Sequence, residues 1–231
     1  MTTMRRLVAK MFAPSSFALC VTAGAPFEAA AGPQGDPCDS GWVGDLFSEP
    51  AGVDGTVGSM LVFDDGSGPA LFVTGAFSYA GPLLVNGMAK WDGAGWSKVP
   101  GSEGGSFGDL KAFDDGSGPA MYAAASLTLA GGTTYRGVAR WNGAAWTPIG
   151  SGFDTSVSAI AFYDHGSGPA LYAAGAFTRN GNTSFIERIA KWNGAAWVSL
   201  GWPQTGPLYD MVVYDDGSGP ALFVAGNFVN G

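Results

Sequence analysis

The residues with the greatest chemical capacity in this chain are carboxylates set in a repeated turn. "FDDGSGPALF" begins at Phe63, "FDDGSGPAMY" at Phe113, "YDHGSGPALY" at Tyr163 and "YDDGSGPALF" at Tyr214. If the four turns are equivalent in space, Asp64 with Asp65, Asp114 with Asp115, Asp164, and Asp215 with Asp216 gather on one rim. Carboxylates and turn carbonyls there could hold calcium, which takes about six to eight oxygen ligands. Turn geometry is a sufficient reason for the same residues: Asp bonds its own backbone, glycine supplies positive φ and proline sets the exit. The spacing also lacks the D-x-D-x-D-G order of a calcium loop. Turn chemistry is the expected role and no cofactor is expected, with calcium as the alternative.

His165, the one histidine of the chain, takes a turn position that is Asp in the other three repeats. A lone histidine cannot build a multi-histidine metal site, so it reads as divergence at a tolerant position. A sialidase-like site would need three convergent arginines. Past the first residues the chain has Arg136, Arg140, Arg179 and Arg188, and Arg140 is a repeat position that matches Lys90 and Lys191. Tryptophans at a repeated register could stack on sugars, but a residue that recurs in every repeat is more simply a packing residue between repeats. The stretches that break the repeat are residues 78–86, 128–137 and 178–188, which read as loops, where recognition concentrates. Tyr135, Arg136, Arg179, Glu187 and Arg188 are therefore the candidate ligand contacts. Glu103, Asp154 and Glu187 are the unrepeated carboxylates that a hydrolase or lyase would use. No accompanying base, nucleophile or metal cluster stands out, so a non-catalytic role is the expectation.

The elements that position these residues follow from the period. Gly66, Gly116, Gly166 and Gly217 are spaced by 50, 50 and 51 residues. That range marks a propeller or solenoid. Before each turn run three apolar columns: Val57, Phe107, Val157 and Leu208; Met60, Leu110, Ile160 and Met211; Phe63, Phe113, Tyr163 and Tyr214. After it come "ALFVTGAF", "AMYAAASL", "ALYAAGAF" and "ALFVAGNF". Near-continuous apolar flanks suit strands covered on both faces, joined by a hairpin turn. "MAKWDGAGWSKV", "VARWNGAAWTPI" and "IAKWNGAAWVSL" form a second hairpin, with a tryptophan on each side of an Asp-Gly or Asn-Gly turn. Four antiparallel strands in about fifty residues, repeated in tandem, predict the blade of a β-propeller.

The sequence of an apolar strand ending in Gly-x-Phe, a strand ending in Trp-Asn-Gly, then Trp and a Leu-Gly-like exit resembles the kelch-type propellers. Its wording also resembles repeat proteins exported by planctomycete-type bacteria. The likeness covers about residues 38 to 231 and departs from kelch proper in its single glycines, Gly75, Gly175 and Gly226, with Ala125 in the second unit. It implies an all-β, kelch-like propeller with four-stranded blades. The blades or part-blades lie near 38–48, 55–100, 105–150, 155–201 and 206–231. Trp42 reads as the last strand of a blade, and "GNFVNG" stops where a third strand is due. An incomplete propeller with about four blades present is expected, and its open edges would allow association.

The first residues read as an address. "MTTMRRLVAK" is positive, the next fifteen or so residues are mostly apolar, and Ala29 with Ala31 offers a small-residue cleavage pair. Residues 1–31 are expected to be an export signal and 32–231 the mature domain, secreted, periplasmic or at the cell surface. Arg5, Arg6 and Lys10 also resemble a twin-arginine signal, so the export route stays open. Cys20 falls in the leader and leaves Cys38 alone, which excludes a disulfide framework. A net charge of -8 repels phosphate backbones and anionic membranes, so nucleic acid is not an expected partner. No later stretch is long and apolar enough for a membrane helix. The sequence thus predicts a scaffold that binds a protein or carbohydrate partner through rim loops, with a fragment of a propeller-type glycoside hydrolase or lyase as the alternative.

Overall fold

The computed structural model describes residues 52–181, 184–201 and 206–228. The leader at 1–31, both cysteines, Trp42 and the strand expected near 38–48 lie outside the described residues. The first unit folds as β1 (Thr56–Asp64), β2 (Pro69–Ala76), a side hairpin of β3 (Tyr79–Ala80) and β4 (Leu83–Leu84), then β5 (Met88–Trp91) and β6 (Trp96–Lys98). The second is β7 (Gly105–Asp114), β8 (Pro119–Thr128), β9 (Thr134–Trp141) and β10 (Trp146–Ile149). The third repeats the first, with β11 (Val157–Asp164), β12 (Pro169–Gly175), the side hairpin β13 (Arg179–Asn180) and β14 (Ser184–Phe185), then β15 (Ile189–Trp192) and β16 (Trp197–Ser199). Strands β17 (Leu208–Asp215) and β18 (Pro220–Gly226) begin a fourth.

The protein is all-β, with no helix among the described residues. Three four-stranded antiparallel sheets run β1-β2-β5-β6, β7-β8-β9-β10 and β11-β12-β15-β16, and β17-β18 forms a fourth, two-stranded sheet. None of these sheets closes on itself. The four-strand pattern expected for each repeat is therefore present in three of them. Strand β2 shows why the apolar runs are continuous: Phe72, Val73 and Thr74 are consecutive and all buried, so both faces of this interior strand are covered.

A bulge recurs in the first strand of every unit, between Val57 and Ser59, Phe107 and Leu110, Val157 and Ala159, and Leu208 and Asp210. It explains the Gly-x-Phe signature. A Cβ on Gly75 would lie 2.0 Å from the Thr56 carbonyl oxygen, and one on Gly175 would lie 2.3 Å from that of Ser156. In the second unit Ala125 is accepted because β8 does not part from its neighbours there. It pairs on through Leu127, with Gly105 on one side and Tyr135 on the other.

Apolar side chains fill the space between consecutive sheets. Phe72, Met88 and Val99 meet Phe107, Leu110 and Trp141 between the first and second. Tyr122 and Val138 meet Ile160, Phe177 and Trp197 between the second and third. Tyr172 and Ile189 meet Leu208, Met211 and Leu222 between the third and fourth. The first strands also touch in series, β1 against β7, β7 against β11, and β11 against β17. Leu110, Ile160 and Met211 face the preceding sheet and are buried, whereas Met60 in the same column is 64% exposed. Tyr214, in the column that faces the following sheet, is likewise exposed. One column is thus core or surface according to whether a neighbouring sheet covers it.

Candidate functional site

Antiparallel pairing sends the two kinds of repeated turn to one end of the sheets. Asp64 pairs with Pro69, Leu71 with Trp91 and Trp91 with Trp96, so the Asp-rich turn and the tryptophan turn lie together. The opposite end carries the stretches that break the repeat and the connections between the first three sheets, and these stretches are not simply the loops expected: 78–86 and 178–188 hold the side hairpins β3–β4 and β13–β14, and 128–137 gives Tyr135 and Arg136 to strand β9.

At the turn end the first Asp of each repeat serves the backbone. Asp64 Oδ1 accepts from the amides of Gly66 and Gly68 at 2.8 and 3.0 Å. Asp114, Asp164 and Asp215 repeat the pattern. Gly66 and Gly68 have φ of 95° and 110°, a region that favours glycine. The second Asp meets a cation from the third strand of its own sheet. Lys90 Nζ lies 2.6 Å from Asp65 Oδ2 and donates to Ser67 Oγ at 2.6 Å. Burial alone would raise the Asp65 pKa, but the bonds from Lys90 and Ser67 outweigh it and hold the carboxyl below the usual range. In the second sheet Arg140 Nε lies 3.5 Å from Asp115 Oδ2, and Arg140 donates to Ser117 Oγ at 2.7 Å. The Tyr122 hydroxyl donates to the same carboxylate at 2.9 Å. Bonds from Ser117, then from Tyr122, with the charge of Arg140, hold Asp115 low against the opposing effect of burial. Among the described residues no three His, Cys, Asp or Glu side chains gather as a metal-ligand group.

Trp141, Trp146 and Trp197 pack between sheets. Trp141 and Trp197 are buried, and their indole N–H groups donate to the carbonyls of Pro100 and Ile149, each in the preceding unit, at 3.0 and 2.9 Å. Phe72 meets the Trp141 ring edge-on with centroids 5.8 Å apart. These contacts agree with the packing role expected from their repetition.

All five sequence candidates lie at the loop end, but they are not equivalent. Tyr135 is buried, and its hydroxyl donates to the carbonyls of Val138 and Ile149 at 2.8 and 3.0 Å. Burial pushes its pKa well above the ordinary tyrosine value, so it stays neutral. Its ring is packing rather than contact surface. Arg136 and Arg179 are exposed and are tied together through the connection between sheets. Phe153 N donates to Arg136 O, and Asp154 N donates to Arg179 O at 3.2 Å. The Arg179 guanidinium stands 5.7 Å from the centroid of Phe185, an exposed ring that the sequence alone did not single out. Glu187 and Arg188 are half-buried and follow strand β14 of the side hairpin. Arg188 has φ of 66°, at the place where the first unit has Gly87, and its guanidinium donates to the Ala176 carbonyl.

Asp154 is a clamp. Its Oδ1 accepts from the amides of Thr178 and Arg179 at 2.8 and 3.0 Å, and its Oδ2 accepts from Thr178 Oγ1 at 2.7 Å. Asp54 holds Ser78 and Tyr79 in the same way in the first unit. The repetition, unseen in the sequence because the loops differ, assigns Asp154 a structural role. The loop end therefore presents guanidinium donors and an apolar ring, a surface suited to recognition. Among the described residues no helix is long and apolar enough to cross a membrane. Comparison with family models, curated proteins and solved structures finds no match to this chain.

Proposed function

We propose that the chain is an exported, non-catalytic recognition scaffold whose sheets are kelch-like blades set around an axis. Its loop end binds a protein or carbohydrate partner outside the cytoplasm. The observation that carries this reading is the division of labour between the two kinds of polar residue. Repeated Asp side chains and the buried Trp141 and Trp197 are engaged within and between the sheets, while the unrepeated Arg136, Arg179 and Phe185 stand exposed at one end. The serial contact of first strands, β1 to β7 to β11 to β17, supports an arrangement of blades about a common axis.

The test is a glycan array probed with the native chain and with an Arg136→Ala, Arg179→Ala double variant. Binding without turnover that falls at least about tenfold in the double variant is the expected result. Release of reducing sugar that disappears in Glu187→Gln would overturn it in favour of a hydrolase or lyase. Small-angle scattering from the native chain addresses the architecture separately: a curved, compact envelope is expected, and a straight rod would refute the blade arrangement.

A further inference from the structure

Among the described residues, the turn end contains a cation, Lys191, whose repeat lacks the matching carboxylate. In the first two sheets the second Asp of the turn, the Ser two residues on and the cation of the third strand close on one another, as Asp65, Ser67 and Lys90 and as Asp115, Ser117 and Arg140. The third sheet holds His165, Ser167 and Lys191 at these places. His165 supplies no negative charge, and the side chain of Lys191 makes no ion pair or hydrogen bond among the described residues.

Lys191 lines a groove of about 700 Å³ between the second and third sheets, with Arg140, Asp115, Tyr122 and Trp192. Phe113 and Phe162, stacked with centroids 3.9 Å apart, also line it. The volume is that of a ligand site. Asp115 is already neutralised by Arg140 and Tyr122, so the charge left unmatched is positive. The corresponding groove between the first and second sheets is smaller, about 250 Å³, and the charged groups lining it are already engaged, Asp65 by Lys90, Arg140 by Asp115 and Asp64 by its turn amides.

We propose that this groove binds an anionic glycan, with a sugar carboxylate or sulfate on Lys191 and ring faces against Trp192 and its aromatic neighbours. Aromatic rings supply the flat apolar contact that sugar faces fit, and the groove is open to solvent. The overall charge of -8 works against anions at long range, so recognition here is a short-range contact that salt weakens. The proposal extends the recognition reading to the opposite end of the sheets, and the two sites separate by mutation.

The experiment is isothermal calorimetry of the full chain with oligogalacturonate, a sulfated oligosaccharide and uncharged maltohexaose. Charged sugars should bind and maltohexaose should not, with the two anionic arms telling carboxylate from sulfate. Lys191→Ala should weaken binding about tenfold. His165→Asp should do the same by giving Lys191 its own carboxylate, and it restores a turn sequence that this protein already folds three times. Equal affinity for maltohexaose, binding untouched by His165→Asp, or no binding of either anionic sugar would overturn the proposal. Loss in the Arg136→Ala, Arg179→Ala variant but not in His165→Asp would also overturn it and place the site at the loop end.

Discussion

The Asp109 Oδ2 atom accepts a hydrogen bond from the backbone amide of Ile160 at 2.9 Å, so a side chain of β7 holds the main chain of β11 in the next sheet. One step earlier the Leu110 amide donates to Ser59 Oγ at 3.1 Å, tying β7 to β1. Both acceptors sit beside the recurrent bulge, and the amides they take belong to β7 and β11, edge strands of their sheets. At the third step the column holds Ala159, which cannot accept, and Asp210 of β17 instead takes the amide of Met211 at 2.8 Å.

Replacing Asp109 by Ala should therefore cost about 2 kcal/mol, because it leaves the amide of fully buried Ile160 unsatisfied. That corresponds to a fall in Tm of about 4–8 °C for a domain of this size. Asp210→Ala, at the same column, should cost less than about 1 kcal/mol, since Asp210 is exposed and serves only its own neighbour. Thermal melts of the two variants, read side by side, check the difference.

Gly75→Ala should be far more damaging than its size suggests. The new methyl would meet the Thr56 carbonyl at 2.0 Å, so β1 and β2 must separate at the bulge. A loss above about 3 kcal/mol is expected. The reverse change at the matching position, Ala125→Gly, should cost only about 1 kcal/mol through backbone entropy. Urea denaturation midpoints distinguish the two.

Asp65, Asp115 and Asp154 all have carboxyls held below their usual range by bonds that outweigh burial. A depressed folded pKa means that the unfolded chain takes up protons first. The stabilisation is therefore complete above about pH 4, the unfolded value, and is lost as pH falls through the folded values. Asp65→Asn should lower stability by about 1 kcal/mol at neutral pH and flatten the decline below pH 4, so that variant and native chain converge in acid. Urea denaturation from neutral pH down to about pH 2 tests this, and parallel curves would refute it.

Tyr135→Phe separates packing from recognition at the loop end. Losing the hydroxyl bonds to Val138 and Ile149 should reduce stability by about 1–2 kcal/mol. The proposed ligand binding by Arg136 and Arg179 should be unchanged, because the Tyr135 ring is buried and absent from the exposed surface. Calorimetric melting together with a binding titration reads both effects.

Much of this organisation is legible in the residue string because it is local. The Asp-Gly-Ser-Gly-Pro and Trp-Asn-Gly turns dictate hairpins through the positive φ of their glycines and the side-chain bonds of Asp64 or Asn142. The fifty-residue period then announces repeated sheets. The candidate contacts are legible only as a group, in the stretches that interrupt the period. Nothing local separates the buried Tyr135 from its exposed neighbour Arg136, because their facing depends on which side of β9 the adjoining connection covers.

By itself, then, the sequence determined the main strands of each repeat, their turns and their order within the sheet, since hydrogen-bonded hairpins form between neighbours along the chain, but not the side hairpins β3–β4 and β13–β14. Only the tertiary structure decided which repeated side chains become core and which polar groups are consumed. Met60 and Leu110 share a column yet differ in burial, and Lys90 and Lys191 share a register yet differ in having a carboxylate within reach. The physical reason is that contacts between sheets join residues about fifty positions apart, and their outcome rests on the partner across the gap rather than on the residue itself.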